Sequence, residues 1–352
     1  MAAGRGRGWP RVTRALKAIA LLLAVLVGGL ALLLHAPAPP AIAFPGGKQF
    51  AFSVIDDTDM ATLERVRPIY EVFDRYGVHT TKTVWVLPSQ GSTHPADAGD
   101  SLSTPAYRDY MLDLQRRGFE LALHGVRGGS SRRADIAKGL EAFKAIVGHD
   151  PRMHVNHSLN QDNLYWGGAR WSFGPFAWLY ERTSQHAFSG QEPDSPYFWG
   201  DLAKTHIRYV NQFTYADINL LKVNPHFPYS LPDKPYVNYW FPTADGDNLD
   251  RFEELLSADN LDRLQREHGV CLVYAHLGAG SFNKDGGVNP RFEARIKDLA
   301  SRNGWFAPAS DILDFLRKQD GWEADMGYKE RLRLEATFFG GRLMRPSIHR
   351  KS

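Results

Sequence analysis

Cysteine is almost missing from this chain. Cys271 is the single one in 352 residues, so no intramolecular disulfide can form and the core alone must hold the fold. It lies in the apolar run from Val270 to Tyr274 and reads as a small buried core residue rather than a nucleophile. Net charge is also scarce, at +3. The cations do not alternate with aromatics along a stripe, which argues against nucleic acid as a partner. No Gly-x-Ser-x-Gly elbow is present for a serine nucleophile. The pairs Gly128-Gly129 and Gly167-Gly168 lack the Lys-Ser or Lys-Thr of a phosphate loop, so nucleotide binding has no support. No repeat of fixed period and no low-complexity tract outside the termini is visible.

Long apolar runs are absent with one exception. Residues 18–34 carry no charge and follow Arg5, Arg7, Arg11, Arg14 and Lys17. That pattern reads as an uncleaved signal anchor, a transmembrane helix whose basic flank, residues 1–17, stays in the cytoplasm. Ala41-Ile-Ala43 offers a cleavage site, but it lies several residues beyond the run, behind Pro37, Pro39 and Pro40. Residues 35–47 then read as a stiff proline-rich tether. The expected location is the inner (cytoplasmic) membrane, single-pass, with the globular part on the periplasmic or extracellular side. The last segment, residues 321–352, is a basic tail that reads as solvated, with the makings of an amphipathic surface helix as the alternative.

Between the two ends, β-rich runs alternate with amphipathic stretches, the signature of a parallel sheet or barrel. Strands are expected at 50–55, 81–87, 119–123, 153–156, 207–213, 236–241, 270–275 and 305–308. Helices are expected at 61–76, 107–117, 133–147, 250–268, 290–301 and 310–318. Residues 48–320 are thus expected to form one compact domain of a size usual for an enzyme. The middle, 165–234, is rich in Trp, Tyr, Phe, Pro and Gly and reads as long aromatic loops at the barrel mouth. Trp166, Trp171, Trp178 and Trp199 there are candidate platforms for sugar rings.

The chemistry-bearing residues follow apolar strands. Phe50-Ala-Phe-Ser-Val-Ile ends in Asp56-Asp57-Thr-Asp59, and adjacent carboxylates that cannot both ionise cheaply tend to divide into a metal ligand and a base. The alternative is a helix cap by Asp56, Thr58 or Asp59. His124, His157 and His276 also follow apolar strands. In a parallel barrel all strand C-termini open onto one face, so these groups are expected to converge. A carboxylate with two imidazoles is a standard divalent-metal arrangement. Asp245-Gly-Asp247-Asn-Leu-Asp250 is oxygen-rich but lacks the calcium-loop pattern and reads as the start of a helix.

These residues resemble the polysaccharide deacetylase family, also called the NodB-homology or carbohydrate esterase 4 family. Val54-Ile55-Asp56-Asp57 is similar to its Thr-Phe-Asp-Asp motif, Val273-Tyr-Ala-His276 to its Leu-x-His motif, and the stretch from Trp305 to Leu316 to its closing strand and helix. The resemblance covers roughly Gln49 to Gln319. It implies a deformed (β/α)7–8 barrel, Asp56 as catalytic base, His276 as general acid, and Asp57 and His124 as metal ligands. It implies a divalent metal, zinc foremost, with cobalt, nickel or manganese as alternatives. Two motif positions depart from the family. The second metal His is replaced by Gly128, leaving His157, or else His154 or Asn156, to supply the ligand. The Arg-Pro-Pro-Tyr segment is replaced by Val155-Asn-His157-Ser, leaving Arg127 as the candidate cation beside the base. Arg127, Asn156, His154 and Trp199 are the expected substrate contacts. The implied activity is removal of acetyl groups from N-acetylated sugars of a cell-surface or exported polysaccharide. The competing readings are a glycan-binding protein on the same fold, which needs no metal, and a two-carboxylate glycoside hydrolase.

Overall fold

The computed structural model describes residues 38–90, 94–157, 159–183, 187–284, 286–319 and 321–344. The expected anchor, residues 18–34, and its basic flank lie outside the described residues. Among the described residues no helix is long and apolar enough to cross a membrane.

Seven parallel strands close into a barrel: β1 (Phe50–Asp56), β2 (Thr81–Val84), β3 (Glu120–Leu123), β4 (Met153–His154), β5 (Tyr209–Tyr215), β6 (Tyr239–Asp245) and β7 (Val270–Ala275). Each pairs with the next, and β1 closes the circle on β7 from Ala51 opposite Val270 to Asp56 opposite Ala275. Closure removes the sheet edges. All seven residues of β1 are buried, as expected for a parallel strand covered on both faces, whose sequence is a near-continuous apolar run. The barrel is deformed on the other side of β1. There a late strand, Gly304–Phe306, pairs with residues 50–52, and β2 pairs only with residues 55–56. The alternation of elements pointed to a parallel sheet or barrel, and this is the deformed (β/α)7–8 barrel that the resemblance implied, with seven strands in the ring and the eighth wedged at its base.

Helices α1 (Leu63–Arg75), α2 (Pro105–Arg116) and α3 (Arg133–Val147) follow β1, β2 and β3. The side chain of Thr62 caps α1 by accepting from the Arg65 amide, and the chain leaves α3 through Gly148 at φ 92. In the aromatic middle, Gly174–Thr183 (α4) and Gly200–His206 (α5) are helical, so the loops carry local structure that poor periodicity concealed. Leu220–Val223 forms α6. The single helix expected over 250–268 is two, α7 (Leu249–Leu255) and α8 (Ala258–Arg266), broken at Ser257. A hairpin of Asn283–Lys284 and Gly287–Val288, α9 (Pro290–Ala300), the wedge strand and α10 (Ala309–Leu316) complete the barrel.

Both expected appendages dock where they are described. Ile42 and Phe44 of the proline-rich stretch are buried, and Phe44 lies 6.0 Å from the Phe315 ring on α10. In the tail, Tyr328–Met344 forms α11, which buries Leu334, Glu335 and Phe338. Leu334 and Phe338 supply the apolar contacts that dock this basic segment on the barrel.

Candidate metal and acyl-transfer site

The C-terminal ends of β1, β3, β4, β6 and β7 present Asp56, Asp57, Asp59, His124, His157, Asp247 and His276 to one face. The three carboxylates after β1 have different surroundings. Asp56 is saturated: Oδ1 accepts from the Leu277 amide at 2.8 Å, and Oδ2 meets Lys82 Nζ at 2.9 Å and the Tyr70 hydroxyl at 3.2 Å. Asp57 is fully buried, and neither carboxylate oxygen has a hydrogen-bond partner. Burial, with the repulsion of Asp59 and Asp56, pushes its pKa well above the ordinary range despite the opposing charge of His276.

Asp59 faces three imidazoles. Its Oδ1 lies 2.9 Å from His124 Nε2 and 3.4 Å from His157 Nε2, and its Oδ2 lies 3.5 Å from His276 Nε2. The chain turns just beyond it, with Met60 at φ 55, a conformation rare outside glycine. Burial opposes ionisation of Asp59, but the charge of His124, followed by those of His276 and His157, holds its pKa well below the carboxylate range. Burial pulls the His124 pKa down to about 4 against the pull of Asp59. An ionised carboxylate beside a neutral imidazole is the protonation state that metal ligation requires.

Asp59, His124 and His157 offer one donor atom each, all within 4.8 Å of one another. The ring nitrogens of both histidines and Oδ1 of Asp59 are buried without a hydrogen-bond partner. Such orphans are costly unless something else satisfies them, and a divalent cation fits this donor set. The resemblance had implied Asp57, rather than Asp59, as the carboxylate beside the two histidines. Asp57 Oδ2 instead stands 3.7 Å from His124 Nδ1. Asp97, after β2, adds a carboxylate oxygen 3.2 Å from His157 Nε2. No strand-end signal marked it, since it sits on a one-turn 3-10 helix, Pro95–Asp97, well past the end of β2.

His276 is gripped from both sides. Nδ1 lies 2.8 Å from Asp247 Oδ1 and Nε2 lies 3.0 Å from the Tyr274 hydroxyl. Burial disfavours its charge, but the Asp247 hydrogen bond and the fields of Asp59 and Asp57 outweigh it and push the pKa up to about 10. Asp247 follows β6, so the strand-end logic that found the histidines applied to it as well. Gly246 before it allows the approach: a Cβ there would meet Val273 Cγ1 at 2.5 Å.

The expected substrate contacts divide. Asn156 lines a cavity of about 580 Å³ that also reaches Asp59 and His124, a volume suited to a small ligand. Arg127 does not stand beside Asp56: it pairs with Asp135 at 3.0 Å and donates to Gln90. Lys82, on the neighbouring strand, is the cation at Asp56. His154 is buried behind the site, its Nε2 3.2 Å from Asn156 Oδ1 and its ring edge-on to Trp199 at 5.0 Å. Trp199 is itself only 2% exposed and donates to the Asp162 carbonyl at 2.6 Å, so it braces a loop and offers no face to a sugar. Trp166 does line the cavity.

No protein-family model matches the chain, and a search of curated proteins finds no match. Three of the solved structures with a similar course are as follows. A candidate polysaccharide deacetylase from Mycobacterium smegmatis is 15% identical, covers 83% of this chain and 97% of its own, and has a TM-score of 0.49. An allantoinase is 13% identical over 81% and 96%, with a TM-score of 0.46. A candidate polysaccharide deacetylase involved in O-antigen biosynthesis, from Bordetella bronchiseptica, is 12% identical over 84% and 94%, with a TM-score of 0.34. At these identities and TM-scores the likeness says nothing of this chain's activity.

Proposed function

We propose that this chain is a metal-dependent hydrolase that removes acetyl groups from N-acetylated sugars of a cell-surface or exported glycan. The observation that carries the proposal is the set of buried, unpartnered donors of Asp59, His124 and His157, flanked by an unpartnered carboxylate, Asp57, and a charged imidazole, His276. Asp59, His124 and His157 would hold the metal, zinc foremost. When bound, a divalent cation there supplies Lewis-acid polarisation of a carbonyl and a lowered pKa for water.

This chain's residues divide the proton work. Asp57, made more basic by burial, accepts the proton of the water that attacks the acetyl carbon. His276, kept cationic by Asp247, donates a proton to the sugar nitrogen as the carbon–nitrogen bond breaks. The assignment moves the base from Asp56 to Asp57 and the metal carboxylate from Asp57 to Asp59, because both oxygens of Asp56 are already engaged.

Elemental analysis and acetate release test this. About one equivalent of divalent transition metal, the usual content of a mononuclear site, should be present, lost in His124→Ala and Asp59→Asn but kept in Asp57→Asn. Acetate release from N-acetylated glycans should fall by about 100-fold or more in Asp57→Asn. Absence of bound metal after reconstitution with zinc, cobalt, nickel and manganese would sink the mechanism and leave a glycan-binding protein. The uncharged run 18–34 behind five cations supports a single-pass location in the cytoplasmic membrane, with the barrel outside the cytoplasm.

A further inference from the structure

The cavity that reaches Asp59 and His124 is also lined by four arginines, Arg170, Arg251, Arg263 and Arg342. Two have carboxylate partners: Arg251 pairs with Asp245, and Arg263 with Asp217 at 3.0 Å. The other two do not. Among the described residues, Arg170 and Arg342 meet no carboxylate.

Arg170 is 8% exposed. One of its guanidinium nitrogens donates to the Gln212 carbonyl, and its Nε has no partner. Its remaining contacts are aromatic faces: Trp166 at 3.6 Å, Phe213 at 5.0 Å and Phe338 at 5.4 Å from the ring centroids. Arg342 approaches the same Phe338 ring at 5.2 Å. Two cations thus share one aromatic ring at the wall of a cavity, with no counter-ion between them among the described residues. A buried charge without a partner costs several kcal/mol in general terms, and cation–π contacts return about 0.5–2 kcal/mol each. Burial and then the repulsion of Arg342 lower the Arg170 pKa to about 9, which leaves it charged at neutral pH.

We propose that Arg170 and Arg342 form an anion subsite in the substrate cavity, one that takes a carboxylate or phosphoryl group carried by the glycan while Trp166 offers its indole to a sugar ring. Guanidinium groups match the two oxygens of either anion. The proposal rests on the glycan-hydrolase reading for its substrate class, but the subsite is a matter of binding and does not need the chemistry to occur.

Its test therefore reads binding with metal-stripped full-length chain, so that anions cannot be captured by a metal. Titration of tryptophan fluorescence with tri-galacturonate and with uncharged tri-N-acetylglucosamine compares the two classes. Glucuronate against glucose 6-phosphate distinguishes carboxylate from phosphoryl. The wild type should bind the charged trimer at least tenfold more tightly than the neutral one. Arg342→Gln, at an exposed position, should erase most of that preference, Arg342→Lys should keep part of it, and Arg170→Met should abolish it. The charged trimer should raise the melting temperature of the wild type but not of Arg170→Met. Equal binding of both trimers to the wild type, no binding of the charged one, or an undiminished preference in folded Arg342→Gln overturns the subsite. Anion preference without acetate release would remove the hydrolase reading and leave the subsite standing. Acetate release with equal kcat/KM on charged and neutral glycans would do the reverse.

Discussion

Lys82 and Asp56 are both wholly inaccessible to solvent, and their 2.9 Å pair joins β2 to the end of β1. Lys82 also donates to the carbonyls of Asp56 and Asp57 at 3.3 and 3.4 Å. Removing one member of a buried pair leaves the other uncompensated, at about 3–5 kcal/mol. Lys82→Met should therefore destabilise the protein by that order in urea titration, and adding Asp56→Leu should recover part of the loss. A second buried carboxyl carries a pH dependence. Asp162 accepts the Ser131 amide at 2.8 Å, yet burial pushes its pKa up from 3.8 to about 7. Between those values the folded state binds the proton and the unfolded state has released it, so stability falls as pH rises through this window and stays low above it. The ionised form costs on the order of 4 kcal/mol. Asp162→Asn should match the wild type in melting temperature near pH 4 and exceed it near pH 8. An equal difference at both values would contradict the assignment.

At the scale of elements, the strand ends do the organising, and that is why so much of the site was legible. Apolar runs followed by Asp56, His124 and His276 placed these groups on one face before any geometry was known, because a parallel barrel puts every strand C-terminus there. The same logic reached His157 although its strand, Met153–His154, is only two residues long. It stopped at the Asp-Asp-Thr-Asp turn, where it left the roles of the carboxylates open and only the resemblance named Asp57 as the ligand. Which carboxylate of three faces the histidines depends on backbone dihedrals such as the left-handed Met60, which no residue pattern announces. Arg127 and Trp199 were misplaced for a related reason: residue type tells what a side chain can touch, not whether a loop turns it inward. The junction of β6 and β7 is open to test. Gly246→Ala would place a methyl 2.5 Å from Val273 Cγ1, forcing the end of β6 away from β7 and Asp247 away from His276 Nδ1. The expected result is a drop in kcat of about tenfold or more, with metal content unchanged because Asp59, His124 and His157 belong to other strands.

The whole molecule is closed by a segment whose composition suggested a solvated tail. Helix α11 buries Glu335, whose oxygens accept the amides of Ser172 at 2.6 Å and Phe173 at 3.0 Å, just before α4 begins. A carboxylate at that point satisfies two orphan amides and complements the helix dipole. Phe338 of the same helix packs on Trp171, Phe213 and Tyr215 at 5.7, 4.7 and 6.2 Å, and it carries the two arginines of the anion subsite on its ring. The C-terminal helix is thus both a lid on the aromatic middle and a wall of the cavity. Glu335→Ala should cost about 3 kcal/mol, since it removes two hydrogen bonds between a buried carboxylate and half-buried amides, at roughly 1.5 kcal/mol or more apiece. For a chain of this size that corresponds to a fall in melting temperature of about 5 °C or more, readable by calorimetry. The loss should be local before it is global: hydrogen exchange should accelerate first over 165–183, the segment that α11 covers, while the amides of β1 and β7 keep their protection. Uniform acceleration across the barrel would mean instead that α11 is part of the folding core.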